Sequence, residues 1–279
     1  MTLVSLSDVL RPALVGGYAV PGLVCLGWED MRAYVMAAEA ERSPVILQAG
    51  PSARAHTPLP VLGAMFRSLA ENASVPVVAH LDHGASIDEC RAALDAGFTS
   101  LMFDGSRLPL TQNIDLTAAV VELAHAAGAS CEGEIGFVGY AGGAESAGTD
   151  PEEAAIFARA TGVDALAVSV GNLHLQRQPG GGLDLGRLRA IEAVTDTPLV
   201  IHGGSGVPAA QRAALAASSN ICKFNIGTEL RQAFGIALRA KLAADLTCFD
   251  RLAILQATHA AVFEAARTVI RSLGASHQV

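Results

Sequence analysis

The sequence is short of charge, of aromatic residues and of long apolar runs. Only 16% of its 279 residues are charged and 5% aromatic, against 51% hydrophobic. So apolar a chain is not expected to be disordered, because burial can offset the entropy of ordering. Its apolar stretches stay well below the roughly 20 residues of a membrane span, so no transmembrane helix is expected. The start, Met1-Thr-Leu-Val-Ser-Leu-Ser-Asp8, lacks the basic n-region of a secretory leader.

Basic residues are scarce too. Nineteen Lys and Arg face 27 Asp and Glu, a net charge of −8, which argues against a nucleic-acid surface. Any anion bound here must be held locally, by backbone amides or a metal. The five cysteines, Cys25, Cys90, Cys131, Cys222 and Cys248, are scattered and never form a CxxC pair. They read as buried small side chains in a reducing compartment, the cytoplasm by default.

What the chain has instead is alternation. Short apolar runs at 18–25, 44–50, 75–82, 100–104, 130–136, 165–171, 198–204 and 221–227 alternate with helical patterns. Several are nearly continuous apolar stretches, such as Ala165-Leu-Ala-Val-Ser-Val170, as in parallel strands covered on both faces. Between them, Gly97 ends a helix that opens at Ile87, and Asp150 with Pro151 opens another. Eight such units and a last helix over 249–272 predict a (β/α)8 barrel with an additional C-terminal helix, one domain over 1–279. An open doubly wound sheet is the other arrangement compatible with the alternation. Glycine-rich stretches at 140–148 and 178–182 read as loops on the catalytic face.

Three histidines fall at or just past strand ends: His83 in His80-Leu-Asp-His-Gly84, His174 in Gly171-Asn-Leu-His174, and His202 in Ile201-His-Gly-Gly204. Strand ends of a barrel converge on one site, and three imidazoles with an open position suit a catalytic zinc. A single such histidine would more often be a satisfied surface or core residue; three together reverse that expectation. His56, His125, His259 and His277 lack such placement, and His80 is expected beside the ligands or in the core. Asp82 either orients a ligand histidine or carries a proton beside a polarised carbonyl, the second being favoured. Glu132 and Glu134 alternate on one strand face and are expected at the metal or beside its ligands, or else in solvent. Gly203, Gly204 and Ser205, with Gly227 and Thr228, lie in two glycine-rich turns that open onto helices, a pattern suited to phosphate without a lysine.

Nearly the whole chain resembles the class II, zinc-dependent ketose-bisphosphate aldolases of the fructose- and tagatose-bisphosphate type. The match is carried by His80-Leu-Asp-His83, Leu101-Met-Phe-Asp-Gly-Ser106, Glu132-Gly-Glu-Ile-Gly136, Thr149-Asp-Pro151, Gly162-Val-Asp-Ala-Leu-Ala-Val168, Ile201-His-Gly-Gly-Ser-Gly-Val-Pro208 and Lys223-Phe-Asn-Ile-Gly-Thr-Glu229. The resemblance implies that His83, His174 and His202 hold zinc and that Glu132 and Glu134 match acidic positions near the metal; of these Glu134 is assigned to the metal, and Glu132 and His80 to places behind the ligands. It implies that Asp82 shuttles the hydroxyl proton and that Asn225 holds the enediolate of dihydroxyacetone phosphate. It also implies phosphate on Gly203, Ser205, Gly227 and Thr228, a sodium or potassium ion beside it, and a homodimer or homotetramer.

The chain departs from that family in several places. The family's loop after the fifth strand carries an acidic pair, one member of which is the acid/base at the carbanion carbon; here the loop is shortened, and Glu145, its only acid before Asp150, is the candidate for that catalytic role. Strand one ends Gly22-Leu-Val-Cys25, with Trp28 soon after, where the family carries an asparagine motif. Leu175 follows the second histidine where the family has glycine, and Gly50 stands where it has a hydroxyl. Leu255 stands where it has a distal-phosphate arginine, with Arg251 one turn earlier. These departures predict an aldolase whose sugar is not a standard bisphosphate. The alternatives are an isomerase or epimerase acting by enolisation, and a sugar-phosphate-binding protein that has lost catalysis.

Overall fold

A computed structural model describes residues 2–177, 180 and 182–279. Helix α1 (Leu6–Gly16) precedes the sheet, and Ser5 and Asp8 close a reciprocal cap at its start. Then follow β1 (Val20–Val24), α2 (Trp28–Glu41), β2 (Val45–Ala49), α3 (Pro51–His56), α4 (Leu59–Glu71), β3 (Val77–Gly84), α5 (Ile87–Asp95), β4 (Ser100–Phe103), α6 (Leu110–Ala126) and β5 (Ser130–Ile135). The second half carries α7 (Pro151–Thr161), β6 (Ala165–Val168), α8 (Leu185–Glu192), β7 (Leu199–Ile201), α9 (Ala209–Ser218), β8 (Ile221–Ile226), α10 (Thr228–Ala244), α11 (Arg251–Gln256) and α12 (His259–Ser272).

All eight strands pair in parallel with their sequence neighbours, and β8 closes on β1. The expected (β/α)8 barrel is therefore the observed fold. The strands are almost wholly buried, as their apolar runs require when helices cover one face and barrel contents the other. Asp150 accepts from the Glu152 and Glu153 amides with Pro151 in the first turn of α7, matching the sequence signal. None of the described helices is long and apolar enough to cross a membrane.

Two expectations need revision. The last helix is not continuous over 249–272. It breaks between α11 and α12, where the buried Thr258 hydroxyl donates to the Leu255 carbonyl at 2.7 Å. Asp250 caps α11 by accepting from the Leu252 amide. Strand β3 also runs beyond its expected end to Gly84, with a register shift against β4 between Leu81 and Gly84. The 140–148 loop is pinned by a bridge between Phe137 and Ala147. In the other expected loop, Gln178, Pro179 and Gly181 lie outside the described residues.

Candidate active site

Strand alternation sends successive side chains to opposite faces, so Asp82 and His83 ought to diverge. The irregularity at the end of β3 prevents it. His83 takes a left-handed φ of 54°, a strained conformation for a non-glycine residue, and both side chains line the same cavity of about 360 Å³. Arg54 secures this turn: its guanidinium donates to the Ala49 and Asp82 carbonyls at 2.6 Å and to the His83 carbonyl at 2.9 Å. Glu89 accepts from its Nε at 2.8 Å.

His174 and His202 reach the same place from beyond β6 and from the end of β7. The His83 ring centroid lies 4.8 Å from that of His202 and 5.3 Å from that of His174, and the last two lie 5.6 Å apart. Potential ligand atoms of the three lie within 4.8 Å of one another. Glu132 Oε1 lies 3.0 Å from His202 Nε2, so this nitrogen donates and Nδ1 keeps its lone pair. That Nδ1 is buried without a hydrogen-bond partner, as is Glu134 Oε2, 3.4 Å away. Two orphaned lone-pair atoms facing each other call for a cation between them. The donor set therefore fits a metal at His83, His174 and His202, with Glu134 within reach.

The electrostatics agree. Burial lowers His83, but Asp82, the hydrogen bond to Asp104 and the charge of Glu134 outweigh it and raise it to about 10. Such surroundings favour a cation at this imidazole. His174 is driven the other way, to about 3, by burial and by its histidine neighbours, so its ring is neutral and can donate a lone pair. Burial raises Glu134 to about 6 against the pull of His202 and His83.

Asp82 is buried at 6% exposure. Burial pushes its carboxyl up, but His83, His202 and Lys223 outweigh that and hold it below the usual range. Its Oδ1 accepts from Gln48 Nε2 at 3.0 Å and Asn225 Nδ2 at 3.3 Å. The Oδ2 atom lies 3.3 Å from where a Cβ on Gly50 would stand. The hydroxyl missing from that position is thus space beside the Asp82 carboxylate.

Glu132 and His80 are buried inside the barrel, which removes the solvent alternative for Glu132 and Glu134. Glu132 accepts from Lys223 Nζ at 2.6 Å, and His80 lies 3.4 Å from the same ammonium. His80 is lowered to about 3 by burial and by Lys223. Burial opposes ionisation of Glu132, yet Lys223 and His202 hold its carboxyl far below the usual range. This network orients His202 from behind.

Gly203, Ser205, Gly227 and Thr228 line the cavity as expected. Gly203 has φ 63°, and a Cβ there would come within 2.0 Å of the Leu173 carbonyl oxygen. Gly204 does not line the cavity: it is buried, and its α-carbon packs against Phe224, Asn225 and Ile226 of β8. Glu145 is not brought in either. It is exposed, because the shortened loop folds back with the Tyr140 amide donating to the Ala144 carbonyl. The loop contributes Tyr140, whose ring stacks on His174 at 4.9 Å. Loop and histidine are tied by two backbone hydrogen bonds, His174 to Gly139 and Ala141 to His174. Trp28, Leu255 and Arg251 line neighbouring hollows instead of this cavity.

The sequence assigns no role to Asp104, Gln48, Lys223, Tyr140 or Arg231, all of which the structure brings to the site. Two of them were signalled. Asp104 follows β4 and His83 lies at the carboxyl end of β3, and Lys223 stands two residues before Asn225 on one strand face. A polar residue at the carboxyl end of a barrel strand is a site candidate. Asp104 Oδ2 lies 2.8 Å from His83 Nδ1, and with His83 and Glu134 it forms a second metal-competent group.

An eight-stranded parallel barrel with three histidines and a buried aspartate at its carboxyl-end mouth defines a metal-competent barrel enzyme. The model of the class II fructose-bisphosphate aldolases matches residues 4–278, and the chain belongs to that family. It is an aldolase, a lyase. It is 40% identical over 257 residues to a fructose-bisphosphate aldolase of Geobacillus stearothermophilus, covering 90% of this chain and 89% of that one. It is 37% identical over 286 residues to a 6-phospho-5-dehydro-2-deoxy-D-gluconate aldolase of Shouchella clausii, covering 100% and 97%. The crystal structure of the YdjI aldolase of Escherichia coli K12 superposes with a TM-score of 0.88 at 32% identity, covering 99% of this chain and 98% of that one.

Proposed function

We propose that this chain, acting as one domain over 1–279, is a zinc-dependent aldolase that cleaves or forms a ketose phosphate from dihydroxyacetone phosphate and an aldehyde. The observation that carries this reading is the convergence of His83, His174 and His202 beside a buried, doubly hydrogen-bonded Asp82. Zinc held by the three histidines would polarise the ketone carbonyl.

In the cleavage direction Asp82 takes the proton of the hydroxyl on the carbon that becomes the aldehyde. The carbon–carbon bond breaks, and its electron pair passes to the enediolate of dihydroxyacetone phosphate. Asn225 hydrogen-bonds that enediolate, and Gly203, Ser205, Gly227 and Thr228 hold its phosphate. A proton must then reach the new carbanion carbon. Tyr140 lines the cavity, and burial together with Asp104 and Glu134 raises its phenol, so it keeps a proton to give. Synthesis runs these transfers in reverse.

The distal end of the sugar is taken as other than a standard phosphate, since Leu255 stands where the family has its distal-phosphate arginine; Arg251 lines the same hollow as Leu255. The two relatives are named for different sugars, so kinship leaves the aldehyde open. The five cysteines are all free thiols, in keeping with the cytoplasm. A homodimer or homotetramer is supported by apolar side chains left exposed on and after α10.

Chelation is expected to abolish activity and zinc to restore it. Asp82→Ala is expected to lower turnover about 10²- to 10⁴-fold while retaining stoichiometric metal by atomic absorption. Full activity after verified metal removal would overturn the proposal. A second reading, enolisation alone, is favoured by one observation: with Glu145 outside, Asp82 is the one carboxylate lining the cavity among the described residues. Incubation with dihydroxyacetone phosphate in deuterated water separates the two. Exchange without condensation against any of a panel of aldehydes would establish isomerase or epimerase chemistry. Binding with neither would mark a protein that has lost catalysis.

A further inference from the structure

The end of β3 leaves the barrel's ladder just where the site begins. Pairing with β2 ends at Ala49 and Leu81. On the other side Leu81 pairs with Leu101 and Gly84 with Phe103, so Asp82 and His83 are skipped. The His83 amide turns instead to the Met102 sulfur at 3.4 Å. Beyond the gap the Gly84 carbonyl accepts from the Asp104 amide at 3.0 Å. Two consecutive residues without register partners, one at a left-handed φ of 54°, form a turn that the sheet alone does not hold.

Two side chains from flanking helices hold it. Arg54 of α3, whose side chain is 8% exposed, donates from Nη1 to the Asp82 carbonyl and from Nη2 to the His83 carbonyl. The same Nη1 donates to the Ala49 carbonyl at the end of β2. Glu89 of α5 accepts from Arg54 Nε on Oε1 and from the Ala85 amide on Oε2, each at 2.8 Å. The turn is thus gripped by two carbonyls and one amide, and the two grips are bonded to each other. Neither Arg54 nor Glu89 lines the catalytic cavity. Charge-assisted, forked hydrogen bonds of this kind are strong and directional.

We infer that Arg54 and Glu89 are a positioning pair that sets the spacing of Asp82 and His83, and through it both metal affinity and proton transfer. The inference rests on the metal-binding and proton-carrying roles proposed above. Without the clasp, His83 relaxes toward extended backbone, and strand alternation turns its ring away from the face of Asp82. Both residues hang from one turn, so metal and acid/base function fall together. Asp82→Ala, by contrast, spares the metal.

The test uses the full-length chain and its Arg54→Met, Arg54→Lys and Glu89→Gln variants. Zinc affinity is read by competition with a chromophoric chelator, and ligand geometry by the visible bands of the cobalt(II)-loaded protein. Zinc affinity is expected to weaken about 10- to 100-fold in Arg54→Met, with shifted cobalt bands. At saturating zinc, kcat should fall by a similar factor with KM nearly unchanged. Lysine keeps the charge beside Glu89 but not the fork. Arg54→Lys is therefore expected to keep the wild-type Tm and still shift the bands, and Glu89→Gln to shift them less. If Arg54→Met does not fold, these two variants decide. Cobalt bands and zinc affinity equal to wild type in both would overturn the inference. Full restoration by lysine alone would overturn it too, by reducing the clasp to an ion pair. Wild type that binds neither metal would sink the metal reading and this inference with it. Wild type that binds metal through the clasp, yet condenses no aldehyde, would sink the aldolase reading and leave the clasp standing.

Discussion

Asp82 owes its orientation to side chains that are missing around it. A Cβ on Gly22 would lie 1.9 Å from Gln48 Oε1 and 3.0 Å from Asn225 Oδ1, the two residues whose amides hold the carboxylate. Gly22→Ala is therefore expected to displace Gln48 and lower kcat about 10- to 100-fold, with metal content by atomic absorption equal to wild type. Loss of metal in parallel with activity would show that the glycine serves the fold of β1 instead. The three histidines were legible because their type and their place at strand ends coincide. Tyr140 and Arg231 were not. A tyrosine in a glycine-rich loop and an arginine one turn into a helix carry no sequence sign of which way they point. Glu145 misled for the same reason: composition supplied an acid, but backbone hydrogen bonds within the loop decided that it faces out.

Among the elements, α2 and α12 are joined by one carboxylate. Glu41 Oε1 accepts from Arg267 at 2.8 Å and Arg271 at 2.7 Å, and Oε2 accepts from the Ser276 hydroxyl at 2.9 Å. Burial alone would raise this carboxyl, but the two arginines and the serine bring it down from 4.5 to about 2. A folded value below the unfolded one gives stability that is present above pH 4.5 and lost as pH falls through about 2. Glu41→Gln is expected to lower Tm at pH 7 by a few degrees, about 2–4 °C for each kcal/mol in a protein of this size. Its deficit against wild type should narrow as the pH falls below 4.5, read by circular dichroism melts. A deficit independent of pH would mean that the clasp acts by packing alone. The strands were readable because burial on both faces leaves an unbroken apolar run. The break before α12 was not, since Ala257 and Thr258 interrupt no periodicity and the joint is made by a hydroxyl turned onto a carbonyl.

For the whole molecule, eight repeats of strand and helix made the barrel legible, while the surface beyond it was not. Helix α10 is 17 residues long yet buries only Leu230. Ile236, Leu242, Leu246, Phe249 and Leu252 stand exposed on it and on the segment after it, Phe249 at 95%. Apolar surface of this kind marks an interaction site. Wild type is expected to sediment as a dimer or tetramer and the double variant Leu246→Asp, Phe249→Asp as a monomer; identical sedimentation of the two would show that this surface joins no copies of the chain.

The three histidines enter from β3, from beyond β6 and from β7, and the carboxylate that fixes His202 comes from β5. No early fragment of the chain contains the complete set. During synthesis the ribosome must release β7 before all three imidazoles can meet, and β8 must follow to supply Lys223 and Asn225. A metal held by this set would thus be captured late in the life of the polypeptide. A stalled or truncated chain, however much of its barrel has formed, holds only part of that set.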